Sequence, residues 1–225
     1  RQRQMCIRDS YSTHMKFIQE LSAEFKNSNQ NIALHAGELT LGLVPPEYLG
    51  WHIRDAIEIA GAKRIGHGID ISYDPQMFAT LAKMRQSDVA VEINLTSNEV
   101  ILGVSGENHP FSIYLEEDVP ITISTDDEGV SRIDLTNEYL RAVRTYDLDY
   151  KTVKGIARNA LQYSFLDGAA LFQNPKNGVL ATACSAGLPE DLSEASPCAA
   201  FISDNEKATK QWELEKSFDV FEDSF

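Results

Sequence analysis

Four short apolar runs, each closed by a polar cluster, recur along the chain, and their spacing constrains the fold more than any other feature. The clusters are His35-Ala36-Gly37-Glu38, Gly66-His67-Gly68, Asn94-Leu95-Thr96-Ser97-Asn98 and Ser124-Thr125-Asp126-Asp127. His35 to His67 is 32 residues, His67 to Asn98 is 31 and Asn98 to Asp126 is 28. One strand followed by one helix occupies ~30 residues. The predicted strands are Asn31–Leu34, Lys63–Ile65, Val89–Ile93 and Val119–Ile123. Between and after them, helical periodicity predicts helices over Glu47–Ala60, Pro75–Arg85, Pro110–Glu117, Asp134–Thr145 and Asp149–Ser164, the last continuing into Leu166–Phe172. A further helix precedes the first strand, over Thr13–Phe25, and a polar turn follows it at 26–30.

Alternating strands and helices imply an α/β fold with parallel strands. Each polar cluster then lies at the C-terminal end of its strand. In a (β/α)₈ barrel that end carries the active site, and an open doubly wound sheet also places function there. No Gly-x-Gly-x-x-Gly or Walker loop marks a phosphate site.

The net charge of -14 argues against nucleic acid held through its phosphates, which requires a basic surface. No apolar run approaches the ~20 residues that span a membrane. Cys6, Cys184 and Cys198 are far apart, odd in number and form no Cys-x-x-Cys, so neither a thiolate zinc site nor a disulfide framework is expected. Arg1–Ser10 has no hydrophobic period and no capping logic, and is read as a non-native stretch of the kind that adapter read-through leaves. The expected organisation is this stretch at 1–10, a partial barrel domain over 11–184, and a linker with a C-terminal amphipathic helix over 185–225. Trp212, Phe218, Val220 and Phe221 supply that helix with an apolar side.

The clusters contain two histidines, His35 and His67, with the carboxylates Glu38, Asp126 and Asp127 and no thiol. Glu92 adds a fourth acidic candidate inside an apolar strand. Two adjacent aspartates after a buried strand repel each other, and a nearby cation is the usual compensation. Imidazole with carboxylate suits zinc or another divalent metal. A water whose pKa a metal lowers toward ~7 is a nucleophile at neutral pH. Gly37 allows the backbone to turn so that His35 and Glu38 share a pocket.

In order and spacing, His-Ala-Gly-Glu, Arg-Ile-Gly-His-Gly, Glu-Ile-Asn-Leu-Thr-Ser-Asn and Ser-Thr-Asp-Asp resemble the four signatures of the adenosine deaminase family. The resemblance covers about Ile32 to Ser164, the second half of that family's (β/α)₈ TIM barrel. It implies hydrolytic deamination of adenosine or deoxyadenosine to inosine, with one Zn²⁺ per active site and a purine nucleoside as the partner. His35 and Asp126 would be zinc ligands. Glu38 would share a proton with purine N1. His67 would orient the attacking water and help deprotonate it, with Asp126 also touching that water. Gly37 and Asp127 would contact the purine, Asp127 at N7, and Ser97 and Asn98 would support the site.

Two departures stand out. The family's first strand carries a His-x-His pair of further ligands, and none occurs here; His14, His52 and His109 stand singly. Asp127 is followed by Glu128-Gly129, where many members have proline. The missing pair implies a chain truncated at its N-terminal side. Such a fragment is expected to fold loosely, hold little zinc and not deaminate adenosine. The competing readings are a deaminase of AMP, adenine or another aminopurine, and a deaminase-like growth factor or binding protein.

Overall fold

The computed structural model describes residues 8–25, 31–175 and 177–225. The polar turn at 26–30 and residues 1–7 of the proposed non-native stretch lie outside the described residues. The chain forms two compact units, one ending at Leu148 and the other running from Asp149 to Phe225. Composition alone places the change of character at 185.

In the first unit, α1 (Arg8–Glu24) precedes β1 (Ala33–Ala36), α2 (His52–Glu58), β2 (Arg64–His67), α3 (Met77–Gln86), β3 (Ala90–Ile93), α4 (Leu95–Leu102), α5 (Phe111–Glu116), β4 (Ile121–Ile123), α6 (Glu128–Ser131) and α7 (Leu135–Tyr146). The strands make one parallel sheet in the order β1-β2-β3-β4. Its register explains the sequence pattern. Leu34, Ile65, Val91 and Ile121 align across the four strands, and the last three are buried. The adjacent row, His35, Gly66, Glu92 and Thr122, faces the other way, because side chains alternate along a strand. Glu92 is occupied by an ion pair with Arg64.

The predicted helix over 47–60 is instead a 3₁₀ turn, Pro46–Tyr48, and the shorter α2. Gly50 breaks it. Its φ is +74°, and a Cβ there would lie 2.2 Å from the Tyr73 carbonyl oxygen. Its N–H donates to Asp70 Oδ2 at 2.9 Å rather than to a helical carbonyl. The cluster Leu95–Asn98, read as the end of a strand, opens α4.

The second unit comprises α8 (Tyr150–Gln162), a two-stranded antiparallel ribbon of β5 (Phe172–Asn174) and β6 (Val179–Leu180), α9 (Pro197–Ser203) and α10 (Glu206–Glu222). Asp149 and Ser196 cap α8 and α9 through bonds from the Thr152 and Ala199 amides. Helix does not continue into 166–172, because the backbone amides of Ala169 and Leu171 donate to the side chains of Asn205 and Gln211, each at 2.7 Å. Arg158 and Glu215 form a two-pronged pair, 2.7 and 2.6 Å, that joins α8 to α10. Within α10, Ala208, Gln211 and Glu215 are buried and Trp212 packs half-buried against the core of this unit, whereas Val220 and Phe221 are exposed. Contrary to the expectation from the cysteine spacing, Cys184 and Cys198 form a disulfide. Both lie in the core of this unit with Leu171, Phe172, Ile202 and Ala208. Burial in one small core brings together two thiols that no short motif links.

Candidate active site

Three of the four polar clusters converge at the C-terminal ends of β1, β2 and β4. One donor atom each from His35, His67 and Asp126 lies within 4.8 Å of the others. The His35 and His67 rings are 5.0 Å apart between centroids. His67 is almost wholly enclosed, with 1% of its side chain exposed, and its Nε2 lies 3.7 Å from Glu38 Oε2 and 4.0 Å from Asp126 Oδ2.

Local backbone geometry aims these groups. Gly37, at φ +72°, turns the chain between His35 and Glu38, and a Cβ there would lie 2.2 Å from Asp70 Oδ1. The Asp70 amide donates to the Gly37 carbonyl at 2.9 Å, fastening the β1 loop to the β2 loop. His67 and Asp126 themselves take left-handed conformations, at φ 71° and 55°. Such values are uncommon outside glycine and often mark functional positions. At β4, Ser97 Oγ donates to Asp126 Oδ2 at 2.7 Å. Asp127, the next residue, is exposed.

Burial sets the electrostatics. The Glu38 carboxyl is pushed above its ordinary range, chiefly by desolvation. Asp126 and Asp127 add to the shift, and His35 opposes it. A carboxyl held this way retains a proton more readily than a solvated one. His67 is lowered to about 4, first by burial and then by the neighbouring His35, with Asp126 opposing, so the ring is neutral at pH 7.

Behind His67 lies a polar chain that the sequence reading did not assemble. Asn98 Nδ2 lies 3.0 Å from His67 Nδ1 and Asn94 Nδ2 lies 3.4 Å from it. His109 Nε2 lies 3.1 Å from Asn98 Oδ1. The only textual hint of His109 is its position in a short turn before Pro110. Glu138 was also missed; it sits fully buried on α7 and accepts bonds from the amide and hydroxyl of Thr96. Among the other single histidines, His14 is exposed on α1, and buried His52 lies 3.4 Å from Asp70. Neither belongs to the donor cluster.

Similarity to known proteins supplies the family. The family model described as adenosine deaminase matches residues 10–172. An adenosine deaminase of Clostridium perfringens is 32% identical over 152 residues, which is 67% of this chain and 42% of that protein. An aminodeoxyfutalosine deaminase of Streptomyces avermitilis is 38% identical over 136 residues, 60% of this chain and 35% of its own. The chain thus spans about two fifths of the length of the curated relatives it matches. Among solved structures, an Arabidopsis N6-mAMP deaminase aligns with TM-score 0.52 and 28% identity, over 65% of this chain and 40% of that one. An adenine deaminase from Arthrobacter aurescens has the same TM-score at 19% identity, over 65% of this chain and 42% of its own, and bears on the fold alone. The four parallel strands are part of the (β/α)₈ TIM-barrel fold these enzymes share. With the model matched over more than half its length, the chain belongs to the adenosine deaminase family.

Proposed function

We propose that this chain carries the catalytic half of a zinc-dependent deaminase of 6-aminopurine nucleosides, with adenosine and deoxyadenosine as substrates. The observation that carries the reading is the convergence of Glu38 and Asp126 on His67 Nε2 beside His35. In the reaction, a water oxygen bonds to purine C6, N1 takes a proton, the C6–N6 bond breaks, and ammonia leaves inosine behind. Glu38 is the proton donor to N1, because burial keeps its carboxyl protonated more readily than water would. His67 orients the attacking water. Asp127, exposed beside the site, reaches N7 of the purine. Ser97 holds Asp126 in place, Asn98 holds His67, and Gly37 contacts the purine through its backbone.

The donor chemistry fits zinc. His35 and Asp126 would hold it, and when bound it supplies Lewis acidity toward the attacking water. Catalytic zinc ordinarily has three protein ligands. With two, the 225-residue chain alone is expected to bind zinc weakly and to turn over adenosine negligibly. Metal analysis by mass spectrometry and the adenosine-to-inosine absorbance change read both. The identity of 38% to an aminodeoxyfutalosine deaminase favours a second substrate, a 6-aminopurine nucleoside with a modified ribose. Protein expressed from the full reading frame and loaded with zinc should be assayed on adenosine, deoxyadenosine, aminodeoxyfutalosine, AMP and adenine. Turnover of a nucleoside is expected, and turnover of none of the five would sink the reading.

A further inference from the structure

The polar chain behind His67 has a direction, and its direction can be read from one group that cannot reverse. The Phe111 backbone N–H donates to His109 Nδ1 at 3.1 Å. A backbone amide has no lone pair to offer, so Nδ1 of His109 is the acceptor and carries no proton. The ring proton of His109 therefore sits on Nε2. That nitrogen donates to Asn98 at 3.1 Å, which requires the Asn98 atom facing it to be the carbonyl oxygen, Oδ1. The amide nitrogen of Asn98 then faces His67 and donates to Nδ1 at 3.0 Å. Asn94 Nδ2 approaches the same nitrogen at 3.4 Å. Nδ1 of His67 accepts, so its proton resides on Nε2, the atom facing Glu38 and Asp126. His109, Asn98 and His67 are all buried, and water has little access to reorient any of them.

We propose that His109 is a positioning residue that acts through Asn98 to hold His67 as the Nε2–H tautomer. His67 then offers the site a hydrogen rather than a lone pair. Combined with the deaminase reading, on which only this consequence rests, orientation of the attacking water falls to His67, and acceptance of its proton falls to a carboxylate. Asp126, 4.0 Å from Nε2, is placed for it, since Glu38 carries the proton destined for N1.

The test is histidine tautomer assignment by long-range proton–nitrogen correlation on the metal-free, ¹⁵N-histidine-labelled chain, at a pH where both rings are neutral. The unmutated chain should show His67 and His109 each protonated at Nε2 and bare at Nδ1. Asn98→Asp keeps the shape and still accepts from His109, but a carboxylate cannot donate, so the His67 proton should move to Nδ1. His109→Phe removes the group that orients the Asn98 amide, and a mixture of His67 tautomers should appear. His109→Gln supplies a donor again and should restore the single tautomer. The backbone amide spectrum checks folding of each variant. A His67 proton on Nδ1 in the unmutated chain overturns the proposal, as does a His67 tautomer unchanged in both Asn98→Asp and His109→Phe. No metal or substrate enters the measurement, so it can fail while the deaminase reading stands, and the assay above can fail while the tautomer holds.

Discussion

Ser97 Oγ donates to Asp126 Oδ2 at 2.7 Å, tying the first turn of α4 to the end of β4. The bond fixes one oxygen of Asp126, while Asp127, the next residue, remains exposed. One aspartate held by a neighbour and one left exposed can serve different partners. Asp126→Ala should therefore lose zinc, and Asp127→Ala should keep it while raising KM by about 10- to 100-fold, the cost of one lost polar contact to substrate. Metal content and steady-state kinetics, here and for Glu38 below, are read on the zinc-loaded protein expressed from the full reading frame. Equal metal loss in both variants would contradict the division.

Glu38→Gln should lower kcat by about 10²- to 10⁴-fold, the usual worth of general acid–base assistance, with zinc content unchanged. Glutamine preserves shape but cannot pass a proton to N1. If zinc were lost while turnover per bound metal stayed constant, Glu38 would be a ligand instead.

Burial and the charge of Arg141 depress His109 from 6.5 to about 4. The folded chain thus binds this proton more weakly than the unfolded chain does. Stability from the neutral ring is complete above the unfolded value and is lost as pH falls from 6.5 towards 4. The loss is on the order of 3 kcal/mol at ~1.4 kcal/mol per pKa unit. Urea titrations across that interval should show a declining midpoint, with a shallower decline in His109→Gln. An equal slope in both proteins would assign the acid sensitivity elsewhere.

Glu138 on α7 accepts the Thr96 amide at 3.2 Å and also the Thr96 hydroxyl, anchoring the turn that carries Ser97 and Asn98. Glu138→Ala removes the acceptor of both half-buried Thr96 donors, leaving the hydroxyl only its bond from Arg141. It should cost about 1–3 kcal/mol of unfolding free energy, measured by chemical denaturation, and the His67 resonances should broaden as the turn loosens. Loss of stability with unchanged His67 signals would confine Glu138 to a structural role.

The disulfide closes a short loop, with Cys184 and Cys198 separated by 14 residues. Loops of that length contribute about 3 kcal/mol by restricting the unfolded chain. Reduction should lower the melting temperature of the 149–225 unit and leave amide exchange in the four-stranded sheet unchanged. A melting profile indifferent to reductant would mean the bond adds nothing.

The parallel sheet and the composition of its strand ends were legible because both are local. Short apolar runs report buried strands, and the polar residues after them report where those strands open. Residues that act across the fold left no such trace. His109 is one histidine in a turn, and only the tertiary structure lays it against Asn98. Glu138 reads as an ordinary helix acid until α7 packs it into the core. The cysteines misled because their distance in sequence hid their proximity in a small hydrophobic cluster. Gly50 and the Asn205 and Gln211 side chains ended predicted helices that periodicity alone would have prolonged.

The left-handed backbone at Asp126 has a practical consequence. Its φ of 55° suits glycine better than aspartate, and its charge raises the cost of ionising Glu38. Replacing it with glycine would relax the turn and remove a repulsive neighbour together. A library ranked only by heat resistance would therefore accumulate changes at position 126 that remove the proposed zinc ligand. Hardening this fold without scoring turnover alongside would select for an inert scaffold.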